Sequence, residues 1–180
     1  MSGSGDNVKG WGHDGRRRPP FAIEPGPGQE SVWDYPRPPA IVPDARRVEV
    51  RWGEILVARS VQSVRVLETA SPPAFYVPPG DVQFAWLRPS RTRTFCEWKG
   101  TASYFDLVVG DDRVADVAWS YAEPRPTFRA IAGWLSFYPE RIQCLVDGEA
   151  VRGQGGGFYG GWVTSELVGP FKGAPGTSGW

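Results

Sequence analysis

The stretch Thr94-Phe95-Cys96-Glu97-Trp98-Lys99-Gly100-Thr101-Ala102-Ser103-Tyr104-Phe105-Asp106-Leu107-Val108-Val109-Gly110-Asp111-Asp112 reads as two strands around Gly100, closed by a hairpin turn at Gly110-Asp111-Asp112. The same grammar extends outward in both directions. Val48, Val50 and Trp52 alternate with Glu49 and Arg51, the pattern of a half-buried strand. Gly53-Glu54 turns the chain, and residues 55–58 return as a second strand. Residues 62–68 make a third, Pro72-Pro73 breaks it, Phe75-Tyr76-Val77 is short and extended, and residues 82–87 form another. Beyond the hairpin, residues 114–120, 134–138 and 143–146 read as strands, and Asp147-Gly148 turns the last of them back onto Ala150-Val151. One short helix is predicted over 127–132, capped by Thr127 behind Pro126, with a helical turn near 165–168.

Composition agrees with a mainly β chain. The 23 Gly and 18 Pro exceed a fifth of the 180 residues, which favours many short strands and opposes long helices. Hydrophobic residues make up 41%, enough for a core, and the length suits one domain with extensions. Residues 1–25 lack periodicity and read as a disordered tail; 26–45 as an extended arm that packs through Trp33 and Tyr35; 46–150 as the β domain; 151–180 as a glycine-rich extension packed on it. The 20 basic and 20 acidic residues argue against a nucleic-acid binder, since Arg16-Arg17-Arg18 is the only basic run. Arg88, Arg91 and Arg93 read as a solvated loop. No apolar run is long enough for a membrane span and no signal peptide is visible, so a cytoplasmic location is expected. Cys96 and Cys144 read as free thiols of a reducing compartment.

Residues 50–54 resemble 107–111, and Phe75-Tyr76-Val77-Pro78 resembles Phe137-Tyr138-Pro139, both at an offset of about 60 residues. Two copies of a strand–turn–strand unit predict two small antiparallel sheets that meet at an angle and leave a wedge between them.

Four aromatic stretches carry the candidate site: 96–104, Ala118-Trp119-Ser120-Tyr121, Gly157-Phe158-Tyr159-Gly160-Gly161-Trp162, and Gly169-Pro170-Phe171-Lys172-Gly173. Glycine permits close approach, while Trp and Tyr pair an apolar face with one polar handle, the composition of a lined cleft. Trp98, Tyr104, Trp119, Tyr121 and Tyr159 are the expected lining, with Lys99 supplying charge and Glu68 as a possible carboxylate partner. Lys99 has three readings: it neutralises an anionic ligand, it serves as base or Schiff-base former, or it pairs with Glu68 or Glu97 and only fixes its strand.

Other chemistries find no apparatus. The single histidine, His13, lies in the tail, so nucleophilic triads lack a base. A zinc site needs about four closely spaced ligands, so no metal and no cofactor is expected. Gly153-Gln154-Gly155-Gly156-Gly157 lacks the Lys-Ser/Thr of a phosphate loop and reads as a flexible loop.

These motifs also carry a resemblance. Val66-Leu67-Glu68, Pro72-Pro73, Tyr76-Val77-Pro78, Asp81-Val82, Cys96-Glu97-Trp98-Lys99-Gly100 with Tyr104, Ala118-Trp119-Ser120-Tyr121 and Phe137-Tyr138-Pro139 resemble the bacterial DUF427 family, a domain of unknown function. Longer members look like this chain further, in Trp33-Asp34-Tyr35-Pro36-Arg37-Pro38 and in the two C-terminal glycine–aromatic motifs. The resemblance implies a compact, mostly antiparallel fold like the β-tent, in which two small sheets meet steeply. Proteins of that shape often bind a ligand in an aromatic pocket, and many carry zinc, which this chain cannot hold for want of a cysteine quartet. The nucleotidyltransferase label sometimes given to the family implies paired carboxylates for Mg²⁺. The one adjacent pair, Asp111-Asp112, falls in a turn and reads as solvated.

The sequence thus predicts a small-ligand-binding β domain, monomeric or homodimeric. A metal-independent enzyme using Lys, Tyr or Glu, and a protein-interaction module docking through the arm or tail, are the alternatives.

Overall fold

The computed structural model describes residues 12–180. Strands Leu87–Cys96 and Gly100–Val109 pair antiparallel with Cys96 opposite Gly100, which leaves Glu97, Trp98 and Lys99 as the connecting loop. Gly100 sits at φ +100°, where a Cβ would strain the backbone. Asp112–Ser120 and Leu135–Phe137 complete a four-stranded antiparallel sheet. A second four-stranded sheet is ordered Glu149–Ala150, Gln143–Val146, Val48–Trp52, Ile55–Ser60. A three-stranded sheet holds Ala40–Asp44, Ser63–Glu68 and Ser71–Tyr76. Two strand pairs finish the set: parallel Glu30–Ser31 with Leu167–Val168, and antiparallel Arg152–Gly153 with Trp162–Val163. The fold is mainly β, with several small sheets rather than two.

An isolated bridge between Val77 and Leu135 joins the three-stranded sheet to the first four-stranded sheet, with hydrogen bonds of 2.8 and 3.0 Å in both directions. The strand period of two then sorts side chains across this joined ladder. Phe75, Val77, Leu107, Ala118, Leu135 and Phe137 turn to one side, where they pack with Val48, Val50, Val57, Cys144 and Val146 of the second sheet. Ala74, Tyr76, Ala102, Tyr104, Trp119 and Tyr121 gather on the other. Trp162 anchors the first side: it is fully buried, stacks on Phe75 at 4.9 Å and donates its indole N–H to the Phe137 carbonyl at 2.9 Å.

Several local expectations are corrected. Pro72 and Pro73 lie inside a strand, because Ser71–Tyr76 is at the sheet edge, where a missing N–H costs no ladder bond. Residues 82–87 are not a strand; Phe84–Trp86 is a 3-10 turn, and the strand begins at Leu87. Arg88, Arg91 and Arg93 are exposed but lie on that strand and not in a loop, since it pairs with Gly100–Val109 on both sides of a bulge between Pro89 and Arg93. The short helix is a 3-10 segment, Pro126–Ile131, with Arg125 rather than Thr127 at the cap position. Near 165–168 the chain forms a turn and then the parallel strand Leu167–Val168.

Of the expected tail, residues 1–11 lie outside the described residues. From residue 12 the chain packs, so the arm starts earlier than residue 26. Phe21 stacks on Trp180 at 5.1 Å, His13 meets Trp33 edge-on at 5.2 Å, and Arg18 pairs with Asp34 at 2.7 Å. Arg37 ties both ends together, donating to the carbonyls of His13 at 2.8 Å, Thr69 at 2.9 Å and Trp180 at 3.2 Å. Trp33 is fully buried and donates to the Pro170 carbonyl at 3.1 Å, so the arm aromatics are covered by this chain itself. Among the described residues no helix is long and apolar enough to cross a membrane.

Replacing Trp162 with Ala removes the stacked ring and orphans the Phe137 carbonyl. The expected loss is about 3–5 kcal/mol in denaturant unfolding; a loss below about 1 kcal/mol would contradict the place given to this ring.

Candidate functional site

The aromatic side of the ladder opens into a cavity of about 460 Å³, within the range of small-molecule sites. Its walls come from six places. Strand Ser63–Glu68 contributes Val66 and Glu68, and the neighbouring edge contributes Pro72, Ala74 and Tyr76. The long hairpin contributes Thr94, Cys96, Tyr104 and the loop residues Trp98 and Lys99. Trp119 and Tyr121 stand two apart and therefore share a face. Tyr138 follows the edge strand, and the extension closes the remaining side with Gln154, Phe158, Tyr159 and Lys172. Both joined sheets contribute to the cavity, so it occupies the space between their aromatic faces, while the second four-stranded sheet backs the other side.

All seven residues singled out in the sequence (Glu68, Trp98, Lys99, Tyr104, Trp119, Tyr121 and Tyr159) line this one cavity. Their surroundings differ. Trp119 donates to the Tyr76 hydroxyl at 3.0 Å and packs against the Tyr138 ring at 4.5 Å. Tyr104 shares a 2.8 Å hydrogen bond with Thr94. The Trp98 indole N–H is buried and meets no acceptor among the described residues. Burial pushes the phenols of Tyr76, Tyr121 and Tyr138 upward from the ordinary tyrosine range, so all three stay protonated. Lys99 takes none of the carboxylate pairings weighed for it: its ammonium lies 5.8 Å from the Tyr121 ring centre and 5.7 Å from that of Phe128. Glu68 faces Arg37 at 3.5 Å instead.

Sequence reasoning did not select Tyr76, Tyr138, Thr94 or Cys96 as lining, while Lys172, which admits the same readings as Lys99, does line the cavity. The signal for the two tyrosines was present in the repeated Phe-Tyr pair: in each copy the Phe enters the core around Trp162 and the Tyr flanks Trp119. Lys172 is only 3% exposed, lies 5.6 Å from the Tyr159 ring centre and donates to the Trp180 carbonyl at 3.3 Å. Burial lowers its pKa. Asp111 and Asp112 are exposed in their turn, away from the cavity. Among the described residues no cluster of His, Cys, Asp or Glu is arranged to hold a metal.

Gln154 sets the glycine loop by donating to the Lys172 carbonyl at 2.6 Å and accepting from the Gly161 N–H at 3.1 Å. Gly160 then passes so close to Trp119 that a Cβ would lie 2.1 Å from its ring. Gly160→Ala must displace the loop or the indole, at a cost of about 1–3 kcal/mol. The expected readout is an altered near-ultraviolet circular dichroism spectrum with faster proteolysis of the loop; an unchanged spectrum at unchanged stability would contradict the contact.

No curated protein matches the chain. A family model described as "Domain of unknown function (DUF427)" matches residues 40–148, from the first strand of the three-stranded sheet to the turn at Asp147-Gly148. That stretch holds the cavity's β walls but neither the glycine loop nor Lys172. With more than half of its length matched through the strands that build the cavity, the chain belongs to the DUF427 family, a domain of unknown function.

Proposed function

We propose that this domain binds a small planar molecule in the aromatic cavity. The observation that carries the reading is the Trp98 indole N–H, buried at the cavity wall with no acceptor. A buried donor left unpaired costs about 1–3 kcal/mol, and a guest with a carbonyl, carboxylate or ring nitrogen would remove that cost. The flat faces of Trp98, Trp119 and Tyr104 suit stacking on such a guest. Ligand pockets commonly combine mostly apolar walls with a few placed donors, and this cavity follows that plan.

The test is a thermal-shift screen with planar metabolite-like compounds, with Trp98→Phe as control. A guest present at 100 times its dissociation constant stabilises the fold by about 2.7 kcal/mol. Trp98→Phe is expected to keep the unliganded melting temperature within a few degrees while weakening acceptor-bearing guests about tenfold, the worth of one hydrogen bond. A screen in which no compound raises the melting temperature would overturn the reading.

Lys172 favours a second reading, catalysis by a neutral amine. Its lowered pKa enlarges the unprotonated fraction near neutrality. Such an amine would add to an aldehyde, lose water and leave an imine that cyanoborohydride reduces. The chain holds three lysines, Lys9, Lys99 and Lys172, so peptide mapping resolves them. Trapping concentrated on Lys172 supports catalysis; equal or slower labelling there, relative to Lys9, removes it.

A further inference from the structure

Four of the rings that line the cavity already carry one of the protein's own cations over a face. Arg125 lies 6.0 Å from the Phe95 centre, Lys99 5.8 Å from Tyr121, Arg141 4.3 Å from Tyr138, and Lys172 5.6 Å from Tyr159. A cationic guest is held by the electron-rich faces of such rings at about this distance. Here those faces are taken, and the same side chains would repel a second positive charge. Of the rings without a protein cation over them, Trp98, Tyr104 and Trp119 offer stacking surface but no counter-charge.

The hydrogen-bonding inventory points the same way. The lining presents donors: the unpaired Trp98 N–H and two ammonium groups, Lys99 and Lys172. Its carboxylates are Glu68, which faces the almost fully buried Arg37 guanidinium at 3.5 Å, and Glu97, exposed in the hairpin loop. An unpaired indole N–H beside an ammonium that makes no ion pair among the described residues selects a guest that carries acceptors.

We propose that the guest is a planar aromatic anion, a flat ring bearing one carboxylate or phosphate, with the ring against Trp98 and Trp119 and the anionic group toward Lys99. The inference rests on the reading of the cavity as a binding site and names the class of its occupant. Lys99 is the discriminating cation, because it lies in the hairpin loop, partly exposed, and makes no ion pair among the described residues.

The experiment is calorimetric titration of the whole chain with one ring in four forms: indole-3-acetate, indoxyl phosphate, neutral indole-3-ethanol and cationic tryptamine. The expected result is that at least one anion binds ten times or more tightly than the alcohol, that tryptamine gives no measurable heat, and that the preference shrinks with added salt. Lys99→Gln should lower the preferred anion's affinity several-fold and leave the alcohol unchanged. Which of the two anions binds more tightly distinguishes carboxylate from phosphate. Alcohol or amine binding as well as both anions overturns the charge assignment while leaving the cavity a binding site. No heat with any of the four, together with a thermal-shift screen that finds no guest, overturns both.

Discussion

The alternation of side chains along one joined ladder is the constraint on which everything else in this molecule depends. Once Val77 pairs with Leu135, the three-stranded and four-stranded sheets share two common faces. Around this junction, neighbouring residues go alternately to the core and to the cavity. Phe75 and Phe137 meet Trp162 on the core side, while Tyr76 and Tyr138 meet Trp119 on the other. A one-residue slip in any of these strands would exchange the two sets. It would place phenol hydroxyls against Trp162 and leave the cavity walled by phenylalanine. Stability and site are thus specified by the same register.

The two faces differ in how their polar atoms are satisfied. On the core side, the Trp162 indole has its carbonyl partner. On the cavity side, Trp119 and Tyr104 are internally paired, whereas Trp98 is not. Buried polar groups in folded proteins are nearly always hydrogen-bonded; among the described residues the exceptions include the Ser136 hydroxyl, away from the cavity, and the Trp98 indole N–H, the one of them that faces the cavity and can be met by a guest. The protein's cations add to this asymmetry. Lys99, Lys172, Arg125 and Arg141 each rest on a lining ring, which sets a cation beside four of the cavity's aromatic walls.

Much of this was legible in the sequence because it depends on short-range rules. Trp119 and Tyr121 share a face by strand period, and the turns at Gly100 and Asp147-Gly148 follow from residues that tolerate positive φ. The glycines beside Tyr159 announce close approach, and Gly160 has Trp119 against it. What escaped depends on distant partners. Pro72-Pro73 reads as a breaker until an edge position makes the missing N–H harmless. The arginines from Arg88 to Arg93 are exposed, as read, but the loop expected for them is a strand once Gly100–Val109 supplies a partner. Residues 12–25 read as tail until Trp180, at the far end of the chain, stacks on Phe21. The burial of Lys172 needs the same convergence of termini, since Trp180 and Tyr159 enclose it. None of these long-range meetings has a local signature.

The most direct test of the aromatic face as a recognition surface is an indole ¹H–¹⁵N spectrum recorded while the tightest-binding planar guest is titrated in. The indole N–H of Trp98 should move most and shift downfield as it gains an acceptor, and Trp119 should move through ring currents, while Trp33 and Trp162, both fully buried with carbonyl partners, stay in place. Shifts confined to Trp33 or Trp162, or an unmoved Trp98 at saturation, would contradict the assignment of the cavity as the site.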